Sequence, residues 1–561
     1  MKRPLTDDDL PLERAYRWER ERPDRIFLTQ PYDHGKVREW TWAEAMDEAR
    51  RMAAHLRAQH WEPGTRIAIL SRNCAWWVMA DLAVWMAGYV SVPIYPSLRA
   101  QSVRQIMEHS EAKACFLGAT DEKEMAQEGI PPGVCVARFP TAGMGECPEW
   151  DDLIASVAPI PGRPRREPDD LATIIYTSGT TGKPKGVMHR FLGFAFIAAS
   201  AAELLGLSPD ERVLSYLPLA HIVERGGVEA TALHQGWHLF FSEGIETFLE
   251  DLRRARPTIF LSVPRLLLKF QQGVFHKIPK ERLERLLRVP IVNRPLKRRI
   301  LNQLGLKTVL HAACGAAPLP VDILLWYRNL GLDLSEGYGM SETNITHLPA
   351  PGCVRPGYVG QPFAGVEQTT GANNELLIRS PMNMLGYYKD PQLTAEAFTA
   401  DGFFRTGDVV EIAPDGQLRI IGRVKEQFKT SKGKYVAPAP IESRLAANPA
   451  VESCCLLGAG LSAPCALIVL SPEAQKRSNE LKEREKIEES LRSLREQVNS
   501  QLDPYERLSF IAVVDGPWSI GNGFLTPTMK VKRSILESQY QPLIEQWDRE
   551  GKPVIWESTP W

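Results

Sequence analysis

Arg66-Ile67-Ala68-Ile69-Leu70 is followed by a polar break at Ser71-Arg72-Asn73, an apolar stretch over residues 76–88, and the run Tyr89-Val90-Ser91-Val92-Pro93-Ile94. That order predicts strand, helix, strand. A tight hairpin joins only antiparallel strands, whereas a parallel pair needs a connection of helix length, so the unit reads as a βαβ crossover in a buried sheet. Trp76, Trp77 and Trp85 fall on the crossover helix, where aromatics pack between strand and helix layers and are core rather than a ligand platform. The alternation continues through Ala114-Cys115-Phe116-Leu117-Gly118 and Arg212-Val213-Leu214-Ser215-Tyr216-Leu217. Such a chain is an α/β protein. Residues 40–57 add a capped helix, with Thr41 as N-cap before Glu44, and Ala45, Ala49, Met52, Ala53 and Leu56 at helical spacing.

A further apolar run, Ile174-Ile175-Tyr176, ends in Thr177-Ser178-Gly179-Thr180-Thr181-Gly182-Lys183-Pro184-Lys185-Gly186. Glycines let backbone N–H groups approach an anion, hydroxyls donate to it and lysines neutralise it, so the loop suits a phosphate chain. It is not a Walker A loop. Two residues rather than four separate Gly179 from Gly182-Lys183, and Pro184 disfavours a helical Lys183, where a Walker lysine would be opening a helix.

A chain of 561 residues exceeds what one hydrophobic core organises, which predicts at least two domains. Lys plus Arg number 67 against 68 Asp plus Glu, so no overall basic field attracts nucleic acid, and any anion site is local. None of the nine cysteines forms a CxxC pair or a metal-ligand spacing, which favours reduced thiols and no zinc. The start of the chain turns acidic at Asp7-Asp8-Asp9, and no apolar run reaches the roughly 18 residues of a membrane span. A cytoplasmic protein is expected.

Around residue 424 the character changes. Leu418-Arg419-Ile420-Ile421-Gly422-Arg423 reads as a strand, after which short hydrophobic runs among Lys and Glu replace the long apolar helices, so a boundary is expected between residues 1–423 and 424–561. Residues 473–500 predict a charged helix with one buried stripe of Leu481, Ile487, Leu491, Leu494 and Val498. Arg282, Arg285, Arg288 and Lys297-Arg298-Arg299 form the one local basic concentration. Such a segment can be a solvated face, bind a coenzyme's phosphates, or lie peripherally on an anionic membrane, here the inner face of the cell membrane.

Four more stretches combine residue types unusual for plain structure: Gly315-Ala316-Ala317-Pro318, Glu336-Gly337-Tyr338-Gly339-Met340-Ser341-Glu342-Thr343, Arg405-Thr406-Gly407-Asp408, and Thr526-Pro527-Thr528-Met529-Lys530-Val531-Lys532-Arg533. With the Thr177 loop, their order resembles the adenylate-forming (AMP-binding) superfamily over about residues 40 to 540. Leu217-Pro218-Leu219-Ala220-His221-Ile222-Val223-Glu224-Arg225, the stretch over residues 257–267 and the stretch over residues 429–438 are similar to the long-chain fatty-acid CoA ligase branch. The resemblance implies a large N-terminal α/β body with parallel-sheet αβ layers and a small mobile α+β C-terminal domain. It implies a ligase that makes an acyl-adenylate from ATP and a medium- or long-chain fatty acid, then passes the acyl group to coenzyme A, with Mg²⁺ as the metal.

Residue by residue, the resemblance gives Thr177, Ser178, Gly179, Thr180, Thr181, Gly182 and Lys183 to the leaving pyrophosphate, and Tyr338 to the adenine beside Gly315, Ala316 and Ala317. Glu342 would bind Mg²⁺ and Ser341 a phosphate oxygen, where many family members carry Thr. Asp408 would accept the ribose hydroxyls, with Arg423 beside the sugar or phosphate and His221 near the acyl carboxylate. Lys530 would bridge carboxylate and α-phosphate, Lys425 would be the hinge, and Lys429 and Gly433 would lie along the coenzyme A path. Alternatives share the same motifs: loading a carrier-protein thiol, activating another carboxylate such as an aromatic acid, or a nucleotide-binding regulator without chemistry. No carrier domain follows residue 540, which favours free coenzyme A, and Lys530 with Glu342 argues against a regulator.

Overall fold

The computed structural model describes residues 4–33, 35–121, 127–143, 145–178, 184–526 and 529–557. The βαβ unit forms as its sequence predicts: strands Arg66–Leu70 and Val90–Ile94 pair in parallel across helix Ala75–Ala87. All thirteen residues of that helix are buried, as a helix apolar on every side but for Asp81 requires, and its C-cap Gly88 takes the left-handed conformation (φ 89°). Helix Trp42–Arg57 opens on a capping box between Thr41 and Glu44.

Two seven-stranded sheets make the body. One carries Arg66–Leu70, Val90–Ile94, Ala114–Leu117 and Cys135–Arg138 in parallel, then Leu171–Ser178 parallel to Val90–Ile94. The sheet is mixed rather than wholly parallel, because Pro184–Arg190 returns antiparallel on Leu171–Ser178 and Gly386–Tyr387 adds antiparallel to that. The chain therefore leaves the Gly-rich loop in a strand and not in a helix, in keeping with Pro184. The second sheet is built on Arg212–Ser215, His238–Phe241, Ile259–Ser262, His311–Cys314 and Leu334–Glu336, all parallel, and Ile26–Tyr32 extends it beside His238–Phe241. Between the sheets, Trp76, Trp77 and Trp85 sit in one core cluster with Phe191, Phe194 and Trp237.

A four-stranded antiparallel sheet of Glu367–Thr370, Glu375–Arg379, Phe404–Ile412 and Leu418–Arg423 follows. Beyond it, a small C-terminal domain pairs Val451–Leu457, Cys465–Leu470, Ile511–Val513 and Val554–Trp556 in a second four-stranded sheet with its own hydrophobic clusters. The charged stretch over residues 473–500 is two helices, Pro472–Arg477 and Leu481–Asn499, rather than one. Ile487, Leu491, Leu494 and Val498 form the buried stripe, but Leu481, on the first turn, is 73 % exposed. All nine cysteines are free thiols.

Candidate active site

Parallel strands place their C-terminal ends along one edge, where connecting loops can converge on a ligand. Asn73, just past Arg66–Leu70, ties the two sheets together at that edge: its Nδ2 donates to Ser215 Oγ (2.9 Å) and the Leu217 carbonyl (2.7 Å), and its Oδ1 accepts from the Leu219 N–H (2.9 Å). This fixes the loop that carries His221. Thr177 and Ser178 end strand Leu171–Ser178 on the same sheet; Gly179, Thr180, Thr181, Gly182 and Lys183 lie outside the described residues.

Three predicted residues, Tyr338, Asp408 and Arg423, meet at one carboxylate. The Tyr338 hydroxyl donates to Asp408 Oδ2 at 2.5 Å, and Arg423 Nε pairs with Asp408 Oδ1 at 2.8 Å across the strand pair Phe404–Ile412 and Leu418–Arg423. Burial, with Asp408 adding to it, raises the Tyr338 hydroxyl well above its ordinary value, so the phenol keeps its proton. Glu342 follows on the turn after strand Tyr338–Met340, and one of its oxygens accepts from the Tyr387 hydroxyl at 2.9 Å. The Ser341 carbonyl meets His189 Nε2 at 2.7 Å, which fixes the turn's backbone. Among the described residues no group of three or more possible protein ligands gathers for a metal. A single oriented carboxylate nevertheless fits Mg²⁺, which takes one or two carboxylates and completes its shell with nucleotide phosphates and water.

Lys530 reaches this cluster from the C-terminal domain. Its ammonium is held below the ordinary lysine range, first by the protein around it and then by Arg423, while Asp408, Glu426 and Glu342 oppose the shift. The residue is solvent-exposed overall, so the lysine stands in an open cleft rather than a sealed pocket. His221 lies within electrostatic reach of the same ammonium. Burial, assisted by Lys530, pushes its imidazole down to about 4, and Nδ1 accepts from the Val223 N–H at 3.2 Å, leaving Nε2 as the protonated donor of a neutral ring. The hairpin behind Lys530 is closed by the Thr526 N–H to the Lys530 carbonyl at 2.8 Å; Pro527 and Thr528 lie outside the described residues.

An apolar cavity opens below Tyr338. Its walls include Ile197, Val223, Gly227, Leu261, Ile345 and Phe363, and Gly315, Ala316 and Tyr338 form its lip; with the open mouth it holds about 1010 Å³. A Cβ on Gly315 would lie 3.3 Å from the Gly337 carbonyl, and Ala316 sits at φ 66°, a strained position for a residue with a side chain. Ala317 is exposed beside them. One wall is a π-helix, Val223–Ala230, a form that concentrates at functional sites. Arg225 anchors it in the core: its guanidinium pairs with Asp81 Oδ2 (2.8 Å) and Glu229 Oε2 (3.0 Å) and lies 4.9 Å from the Trp77 ring centroid.

Lys425 is exposed in the turn after Arg423, and the Glu426 and Gln427 N–H groups return to the Arg423 carbonyl. Lys429 and Gly433 stand apart from the Asp408 cluster, on the exposed hairpin of Phe428–Lys429 and Tyr435–Val436, where Gly433 turns at φ 78°. Sequence reasoning missed Tyr387 and Glu426. Nothing local marks Tyr387, whose strand reaches Glu342 only because it adds to Pro184–Arg190 at the sheet edge.

The profile of the AMP-binding enzyme family matches residues 15–388, and that of the AMP-binding enzyme C-terminal domain matches residues 425–550. A long-chain-fatty-acid–CoA ligase of Mycobacterium bovis is 31% identical, over 95% of this chain and 96% of its own. Long-chain-fatty-acid–CoA ligase 1 of Homo sapiens is 31% identical over 86% and 78%. Among solved structures, the adenylation domain of a carboxylate reductase from Mycobacterium chelonae aligns with a TM-score of 0.80 at 24% identity, covering 96% of this chain and 91% of that one. The o-succinylbenzoate CoA synthetase of Bacillus subtilis, in complex with its acyl-adenylate intermediate, aligns at 0.72 and 22% identity, covering 93% and 97%. The chain thus belongs to the AMP-binding enzyme family and is an adenylate-forming enzyme that activates a carboxylate with ATP.

Proposed function

We propose that this protein is an AMP-forming acyl-CoA synthetase that activates a medium- or long-chain fatty acid and transfers it to coenzyme A. The observation that carries this reading is the apolar cavity whose lip, Gly315 and Tyr338, adjoins the Asp408–Glu342 cluster faced by Lys530. An alkyl chain gains from such walls, while its carboxylate meets the cations at the mouth. The fatty-acid CoA ligases at 31% identity support the same substrate class.

A carboxylate is already ionised near neutral pH and needs no protein base to attack the α-phosphorus. As the new P–O bond forms, the bond to pyrophosphate breaks, and the obstacle is repulsion between anions. Lys530 would lie between carboxylate and α-phosphate, with neutral His221 donating from Nε2 to the carboxylate, so that alignment and charge lower the barrier. Asp408 would exchange its Tyr338 partner for the ribose hydroxyls, freeing Tyr338 to face the adenine. Mg²⁺ on Glu342 and the phosphates would neutralise the leaving group. The thiol of coenzyme A then attacks the acyl carbonyl and expels AMP. Lys530 and the Lys429–Gly433 hairpin belong to one small domain, and a turn about Lys425 would withdraw the first and bring in the second. The domains on this reading are 1–423 and 424–561.

Purified protein incubated with ATP, Mg²⁺ and labelled pyrophosphate should exchange label into ATP when a fatty acid is added. Exchange with none of a panel of short, medium, long and aromatic acids would sink the reading. Exchange without thioester formation from coenzyme A would favour a carrier-protein acceptor.

A further inference from the structure

Helix Pro264–Lys277, which follows strand Ile259–Ser262 of the large body, has two unlike faces. Leu267, Phe270 and Val274 are buried in one cluster with Phe260 and Leu334 of the second sheet. Arg265, Lys269, Gln272 and His276 recur at i, i+4, i+7 and i+11, so they form a polar stripe along another face. Both ends of the stripe reach the C-terminal domain. The Arg265 guanidinium pairs with Glu452 on strand Val451–Leu457, and His276 Nε2 meets Glu473 Oε2 on helix Pro472–Arg477 at 3.0 Å. One pair would leave the small domain free to swivel about it. Two pairs set about 16 Å apart along one helix axis fix its orientation as well.

The contact at Arg265 is connected to Lys530. The strand that carries Glu452 also carries Leu456, whose carbonyl accepts from Arg533 Nη1. Arg533 pairs with Glu442 Oε1 at 2.8 Å, and the same oxygen accepts from the Leu456 N–H at 2.6 Å. Arg533 stands three residues beyond Lys530, so the strand end, Glu442 and the start of the helix after Lys530 move as one piece. In the pose where Arg265 holds Glu452, this piece brings Lys530 within electrostatic reach of Asp408 and Glu342.

We propose that Arg265 and His276 are positioning residues: with Glu452 and Glu473 they latch the C-terminal domain in the pose that presents Lys530 for adenylate formation, and the strength of this latch sets how the enzyme divides its time between the two half-reactions. The inference rests on the two-pose cycle of the proposed function. A cycle that visits both poses needs them close in free energy, so part-exposed pairs of modest strength suffice to move the balance. Each pair joins two separately packed bodies, so breaking it alters their relative placement and not the core of either.

The test measures pyrophosphate exchange and thioester formation from preformed acyl-adenylate separately on the full chain. Arg265→Glu sets two carboxylates against each other and should slow exchange by about fivefold or more, with thioester formation at or above the wild-type rate. His276→Ala should slow exchange by about twofold. Glu452→Arg should repeat the first defect, and Arg265→Glu combined with Glu452→Arg should bring exchange back to within about twofold of wild type. With no acid present, deuterium uptake across residues 264–277 should rise in Arg265→Glu and fall back in the charge-swapped pair. Unchanged exchange in Arg265→Glu, equal loss of both half-reactions, or a charge swap that restores neither exchange nor uptake would overturn the latch. A wild type that exchanges pyrophosphate but forms no thioester faults the coenzyme A reading instead, because exchange and uptake still report on docking.

Discussion

Glu224→Gln offers a direct measure of how the π-helix is held. Glu224 is 1 % exposed, and one of its oxygens accepts from Ser215 Oγ at 2.7 Å, with Asn73 Nδ2 at 3.4 Å. Burial, only partly offset by the Ser215 hydrogen bond, raises its carboxyl from 4.5 to about 8. The unfolded chain releases this proton near 4.5 and the folded chain keeps it until about 8, so stability is full below pH 4.5, falls through that window and levels off above it. At 1.36 kcal/mol per pH unit, the step from pH 5 to pH 8 costs the wild type roughly 3 to 4 kcal/mol through this group. Glutamine keeps the shape and the acceptor for Ser215 but has no proton to hold. The variant should therefore gain on the wild type by about 3 kcal/mol between pH 5 and pH 8, read as diverging urea midpoints followed by tryptophan fluorescence. Its unpaired amide hydrogen adds an offset that does not vary with pH. Parallel stability profiles for the two proteins would refute the reasoning.

Three further outcomes follow from the site. Lys530→Ala should lower adenylate formation by about 10²-fold or more while sparing thioester formation from preformed acyl-adenylate, and equal loss of both half-reactions would undo its assignment. Lys425→Pro should slow thioester formation more than pyrophosphate exchange; an unchanged thioester rate counts against the hinge. A Cβ at Gly227 would lie 3.1 Å from Ile345 Cδ1 and 3.2 Å from Leu261 Cδ1, both in the cavity wall. Gly227→Val should accordingly shift the preferred acid toward shorter chains by about tenfold in relative kcat/KM, as measured across a chain-length series, and a uniform loss for every length would indicate simple destabilisation.

Much of the molecule is legible where the physics is local. Thr41 and Glu44 cap a helix because the reciprocal bonds need only the four residues of one turn. Residues 66–94 fold as a crossover because period and turn chemistry are contained in the stretch itself, and Pro184 alone predicts that no helix opens after the Gly-rich loop. Leu481 misled because helical spacing cannot tell whether a residue on the first turn has anything above it to pack against.

What the chain order could not disclose is how distant residues pair. Asp408 and Tyr338 are each plain turn or strand residues in sequence, and their 2.5 Å bond exists because two separate sheets bring positions 70 apart in the chain to one point. Tyr387 holds Glu342 only through an edge strand added late in the chain, and Arg225 is neutralised by Asp81, the one charged residue of an otherwise apolar helix whose partner the sequence does not name. The sequence by itself determined the βαβ framework, the phosphate-suited loop and the family, because each rests on short-range spacing or on motif order. The tertiary structure alone decided that Lys530 comes within electrostatic reach of His221 and that an apolar cavity opens at Tyr338, because these depend on packing between segments far apart in the chain.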